Sequence, residues 1–225
     1  MKMRVVAVAL SMMLAAAPAK AATYLLTVKG TVLSLTDPVG FFGEPAPGAG
    51  SEFQALFTLS YPTPGAVELN EATLSSYYGG PSFGTANPLS AFFSIGGVGF
   101  NAPGEYFGYF TKDISGRTGN DLSASVTGDG TRVSIHYSAP AFLNGLNLTT
   151  PFSSNNGFGE GQFELRLGGP NNQRYVSGNL FVSSVAFAEF TSPVPEPASW
   201  FMMVLGVGLI GASLRRRSVN VVAAQ

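Results

Sequence analysis

The stretch EFQALFTLSY, Glu52 to Tyr61, constrains the fold more than any other part of the chain. Phe53, Ala55, Phe57, Leu59 and Tyr61 fall on one side of an extended backbone. Glu52, Gln54, Thr58 and Ser60 fall on the other, with Leu56 the exception. Side chains alternate across a strand with period two, so the pattern predicts a half-buried β-strand. GQFELRLGG repeats it, with Phe163, Leu165 and Leu167 alternating with Gln162, Glu164 and Arg166. LSASVTGDGTRVSIHYS predicts a hairpin. Asp129-Gly130 is its turn signal, and Val133, Ile135 and Tyr137 form the apolar side of its second arm. TYLLTVKGTVLSL predicts a strand bent by a bulge at Gly30, where the apolar face changes parity. RYVSGNLFVSSVAFAEF predicts one long strand, or two short ones about Gly178. Val176, Leu180, Val182, Ala186 and Ala188 share one parity, and Phe181, Val185 and Phe187 share the other. That mixture predicts partial cover on both faces.

The links DPVGFFGEPAPGAGS, SSYYGGPSFGTANPL and TTPFSSNNGFG are read as loops from their Gly, Pro, Asn and Ser content. No helix and no regular repeat is evident between Ala22 and Ser192. Charged residues make up 11% of the chain against 28 glycines and 18 phenylalanines, which leaves few good helix formers. The expected fold class is all-β, an antiparallel sandwich or jelly-roll-like exported domain, with barrel closure left open. The absence of cysteine excludes a disulfide framework and any thiolate site. Residues 22–192 carry six basic and twelve acidic side chains, a formal balance of −6. No basic patch is available for nucleic acid, which is not an expected partner.

Candidate chemistry in this domain is sparse. The single histidine, His136, is out of register with Val133, Ile135 and Tyr137, so it is expected on the polar side of its strand. No G-x-S-x-G elbow accompanies it, and no catalytic residue is assigned. Glycosidase chemistry needs two carboxylates across a cleft, which spacing alone does not show. TKDISGRTGNDLSASVTGDG brings Asp113, Asp121 and Asp129 among glycine, asparagine and threonine. Such hard oxygen ligands suit calcium, but the EF-hand spacing is absent, and solvated turn aspartates are the default reading. No cofactor or metal site is therefore assigned, with calcium at these aspartates the alternative. Aromatic residues cluster in the glycine-rich links: Phe41, Phe42, Tyr77, Tyr78, Phe83, Tyr106, Phe107, Tyr109 and Phe110. Rigid amphipathic rings stack on sugars, which makes Phe41, Phe42, Tyr77, Tyr78, Tyr106 and Tyr109 the candidate glycan-binding residues. The alternative is that these rings cap the ends of the core.

The two ends read differently. Lys2 and Arg4 precede an apolar stretch from Val5 to Ala17, and Ala19 and Ala21 give a small-x-small cleavage pattern. Residues 1–21 are thus expected to be a secretory signal peptide, cut to leave Ala22 first, with cleavage after Ala19 the near alternative. The Sec translocon and signal peptidase are the implied partners. Near the other end Pro195, Glu196 and Pro197 form a stiff extended element. Trp200 follows, and an apolar run reaches Leu214. A helix over 198–214 would span roughly 25 Å, slightly under the ~30 Å hydrocarbon core, with Arg215, Arg216 and Arg217 as the inside charges. Residues 218–225 would then be a short cytoplasmic tail.

The order Pro-Glu-Pro, apolar helix, arginine cluster resembles the PEP-CTERM sorting signal of Gram-negative bacteria. PEPASWFMMVLGVGLIGASLRRR looks like its tryptophan-containing variant. The resemblance covers residues 193–217 alone. It implies recognition of Pro195-Glu196-Pro197 by an exosortase, a membrane cysteine protease. It also implies a link to exopolysaccharide, and passage from the inner membrane to the cell surface or extracellular matrix. The expected function is a non-enzymatic exported surface or matrix protein, associated with polysaccharide. An exported glycan- or ester-hydrolysing enzyme and a purely structural or adhesive β domain are the alternatives.

Overall fold

Residues 21–116, 119–168 and 174–190 are described by the computed structural model. The expected signal peptide up to Lys20, and everything from Thr191 onward, lie outside the described residues. The helix expected over 198–214 therefore also lies outside the described residues. No described helix is long and apolar enough to cross a membrane.

The alternating segments form strands where the pattern predicts them, and several others join. In chain order these are β1 (Ala22–Thr36), β2 (Glu52–Tyr61), β3 (Val67–Asn70), β4 (Leu74–Gly79), β5 (Leu89–Ile95) and β6 (Val98–Ala102). They continue with β7 (Phe107–Asp113), β8 (Asn120–Gly128), β9 (Thr131–Ala139), β10 (Phe152–Ser154), β11 (Phe158–Leu167) and β12 (Arg174–Glu189). A single turn of 3-10 helix at Pro81–Phe83 is the only helical element among the described residues.

Every pairing is antiparallel, and the strands form one sheet in the order β3-β4-β7-β8-β9-β11-β12-β1-β2-β5-β6, with β10 also on β12. The all-β antiparallel expectation holds. The two sheets of a sandwich are replaced by one continuous sheet, curled so that β5 and β6 lie against β7, β8 and β9. No pairing joins β3 to β6 among the described residues, so the curl stays open at two edges.

The curl has a visible cause. β1 and β12 are the longest strands and pair with each other through two irregularities. Lys29 faces Ser184 and Gly30 faces Val182, so Ser183 is an extra residue in β12. Val32 faces Leu180 and Ser34 faces Asn179, so Leu33 is an extra residue in β1. Bulges bend strands and increase their twist. The Ser183 hydroxyl donates to the Lys29 carbonyl at 3.2 Å, and the Asn179 amide donates to Ser34 Oγ at 2.8 Å. The bend expected at Gly30 is therefore present, with its extra residue in the partner strand. The parity of β1 itself changes three residues later, at Leu33.

The same bulge corrects the reading of β12. Val176, Leu180 and Val182 point inward before Ser183, and Val185 and Phe187 point inward after it. One face is buried throughout, and the mixed parity records a bulge instead of two covered faces. Phe181, Ala186 and Ala188 are exposed.

The inner faces build one hydrophobic core with two aromatic concentrations. In one, Phe163 of β11 stacks on Phe93 of β5 at 4.4 Å, and Phe53, Phe100 and Phe42 close around them. This contact fastens the β5–β6 hairpin across the interior. In the other, Phe187 of β12 stacks on Tyr24, Phe110 and Phe152 at 5.1 to 5.4 Å. Each buried ring contributes about 1.5–3 kcal/mol through removal from water. Two segments read as loops are thereby partly strand. Ser75, Tyr77 and Gly79 of β4 and Phe152 and Ser154 of β10 point inward. Their glycine and serine neighbours hide a short alternation.

Candidate functional site

The outer face of the sheet follows from the same alternation. Where Phe110 and Lys112 of β7 point inward, Phe107, Tyr109 and Thr111 point outward. Tyr78 of β4 lies directly across from Tyr109. Pro81–Phe83 returns beside β7, held by a bond from the Ser82 N–H to the Tyr106 carbonyl. The result is a run of rings. Tyr78 meets Phe83 at 5.5 Å, Phe83 meets Phe107 at 5.3 Å, and Phe107 meets Tyr109 at 5.5 Å. Phe83 is 51% exposed, which makes it the crest of the run.

Tyr109 also lines a groove of about 500 Å³ on this face. Its floor is set by register. Ser123 of β8 faces His136 of β9, which faces Glu160 of β11. In the next row Ser134 faces Gln162, which faces Asn179 of β12, which faces Ser34 of β1. Arg132 adds a cation, and the bulged Leu33 stands at the far end. The groove is thus lined by hydroxyls, amides and one charge of each sign beside an imidazole.

Ser123 Oγ and His136 Nδ1 lie 3.0 Å apart. His136 is on the polar side of its strand, as expected, and exposed. The arrangement lacks the geometry of an activated nucleophile. The carboxylate across from His136 makes no hydrogen bond with it, and the β9 amides around it are engaged in the ladders to β8 and β11.

The six candidate glycan-binding rings do not form one surface. Phe42 and Tyr77 are buried, at 5% and 2% exposure. Phe41 is half-buried against Phe42 and Phe100. Asp37 draws this loop inward, its carboxylate accepting the Phe41 and Phe42 N–H groups at 2.9 Å. The Tyr77 hydroxyl accepts the Thr63 N–H at 2.5 Å. These rings cap the core. Tyr78 and Tyr109 share the outer run, and Tyr106 is exposed at its margin. Phe110, from the same links, is fully buried.

The three aspartates considered for calcium are separated. Asp113 and Asp121 face one another at the start of β8, while Asp129 lies at the opposite end in an ion pair with Arg166. Asp113 Oδ1 accepts the Ser115 N–H and hydroxyl at 2.7 Å. No cluster of metal-ligating side chains occurs among the described residues.

One titratable group escaped the sequence reading. Lys112 is 1% exposed. Its ammonium donates to the carbonyls of Asn147 at 2.7 Å and Thr150 at 3.0 Å. The rings of Phe152 and Phe187 lie 5.0 and 5.2 Å from it. Burial pulls its pKa down to about 8. Its inward parity with Phe110 was the available signal. The outer groove was harder to foresee, because Gln162, Asn179 and Ser34 meet only through the order of strands.

The ends of the domain converge. β1 begins at Ala22, the residue expected to lead the mature chain, while Ala21 is exposed and Ala19 lies outside the described residues. Tyr24 pairs with Glu189, and the Phe190 N–H donates to the Thr23 carbonyl at 2.7 Å. Beyond Phe190 the chain enters residues 193–217, which match the PEP-CTERM protein-sorting motif. The chain carries this sorting signal. The PEP-CTERM match includes Pro195, Glu196, Pro197, Trp200 and Arg215 to Arg217, and it leaves residues 22–190 unassigned. No curated protein matches the chain. No solved structure matches it either.

Proposed function

We propose that this chain is a non-enzymatic surface or extracellular-matrix protein of a Gram-negative bacterium, sorted by an exosortase-like protease and associated with exopolysaccharide. The PEP-CTERM motif carries the reading. Export through Sec, cleavage after Ala21 and recognition of Pro195-Glu196-Pro197 are its steps. Proline is disfavoured in helix interiors and central strands, so a Pro-Glu-Pro sequence suits recognition by a protease in an extended form. Glu196 is the one charge there and serves as the handle. The open outer face, with rings and uncharged polar groups, supports the polysaccharide association.

Intact-mass comparison of cell-bound and released protein tests the sorting step. Wild type should be released without the residues past Trp200. Glu196→Ala should still be exported, because its signal peptide is untouched, and should stay in the membrane at full length. Equal release of both proteins with the tail intact would replace the sorting reading with a plain anchor.

A further inference from the structure

We infer that the aromatic run and the polar groove form one continuous binding path for an unbranched, uncharged polysaccharide. The inference rests on the polysaccharide association proposed above, and it names the site and the ligand class. Tyr109 belongs to both parts, since its ring meets Phe107 on one side and lines the groove on the other. The path crosses β4, β7, β8, β9, β11, β12 and β1, which are neighbours in that order. Adjacent strands lie about 4.8 Å apart, so the path runs roughly 30 Å along the sheet. That length suits a chain of sugars and exceeds what a monosaccharide covers.

The chemistry selects the class. Sugar rings present apolar C–H faces that stack on aromatic rings, and hydroxyls that pair with amides and hydroxyls. The path supplies both in sequence, rings first and then His136, Gln162 and Asn179. Successive rings are tilted by 65°, 39° and 42°, so they follow a twisting chain better than a flat crystal surface. Arg132 and Glu160 balance in charge within the groove. A polyanion would meet one cation and one repelling carboxylate, which disfavours uronic-acid polymers. Nucleic acid is disfavoured on the same ground.

Co-sedimentation of the purified mature chain with insoluble amylose and with microcrystalline cellulose tests the inference, and soluble alginate competes as the charged counterpart. Wild type should leave solution with at least one uncharged polymer and should resist alginate. Tyr109→Ala should weaken binding about tenfold through loss of stacking, while Tyr109→Phe should retain it. The double variant Gln162→Ala/Asn179→Ala changes no ring and should weaken binding comparably, with an unchanged melting curve. Failure to bind both uncharged polymers would overturn the inference. So would preference for alginate, or variants that bind like wild type. Self-association lost in Tyr109→Ala without glycan binding would reassign the face to a second copy of the chain. The release assay with Glu196→Ala is independent of all these outcomes.

Discussion

Lys112 is a cation held in the core with carbonyls and ring faces in place of a carboxylate. Its pKa falls from 10.5 to about 8 because burial disfavours the charged form. The unfolded chain keeps this proton up to the ordinary lysine range, while the folded chain releases it earlier. Between these values the unfolded state binds more protons, so stability rises with pH. The penalty is fully present below the folded value and is relieved as pH climbs toward the unfolded one. From about pH 7.5 to about pH 9.5 wild type should gain about 2 kcal/mol from this residue. Lys112→Met should lack that increment. Urea denaturation of both proteins at the two pH values measures the difference, and parallel stability profiles would show that the amine is not strained by burial. The aromatic contacts and the bonds to Asn147 and Thr150 explain why a charge is tolerated there.

At the level of elements, the β1–β12 pair sets the shape. A side chain at Gly30 would place its Cβ 1.9 Å from the Phe181 carbonyl oxygen, a backbone atom fixed by the adjacent bulge. Gly30→Ala should cost about 1–3 kcal/mol. Gly48→Ala, in a loop with open space around it, should stay within about 0.5 kcal/mol. Thermal melts of the two variants compare them, and an innocuous Gly30→Ala would mean that the bulge can move. Much of the rest of the sheet was legible in the sequence. Alternation around Phe57, Phe163 and Ile135 marks strands whose cores are one-sided, and Asp129-Gly130 marks a tight turn. The hairpin of β5 and β6 escaped that reading, although Gly96-Gly97 between Ile95 and Val98 is its turn. Both glycines have positive φ, at 58° and 87°, as a type I′ turn requires. Short strands such as β4 and β10 hold too few residues for alternation to stand out from turn composition. The outer site was illegible for another reason. A polar face is equally polar in every strand, and only the order of strands decides which serines and amides become neighbours.

For the whole molecule, the core formed by the described residues is built within residues 22–190. Among the described residues, every member of the hydrophobic cluster lies between Ala22 and Phe187. Residues 22–190 should therefore fold alone, with a β-type circular dichroism spectrum and one cooperative melting transition. A broad, non-cooperative melt would show that the remaining chain is needed. The convergence of the two ends has a mechanical meaning. β12, which runs on into the sorting signal, pairs with β1 on one side and with β11 and β10 on the other. Drag on the domain while its tail is held enters the sheet at Phe190, on an interior strand. An edge strand under tension peels away one bond at a time. An interior strand can leave only by sliding past two neighbours at once, with the whole ladder sharing the load. While the tail is held, before the release proposed above, the load would therefore fall on the β1–β12–β11 ladder as a whole and not on the edge hairpins.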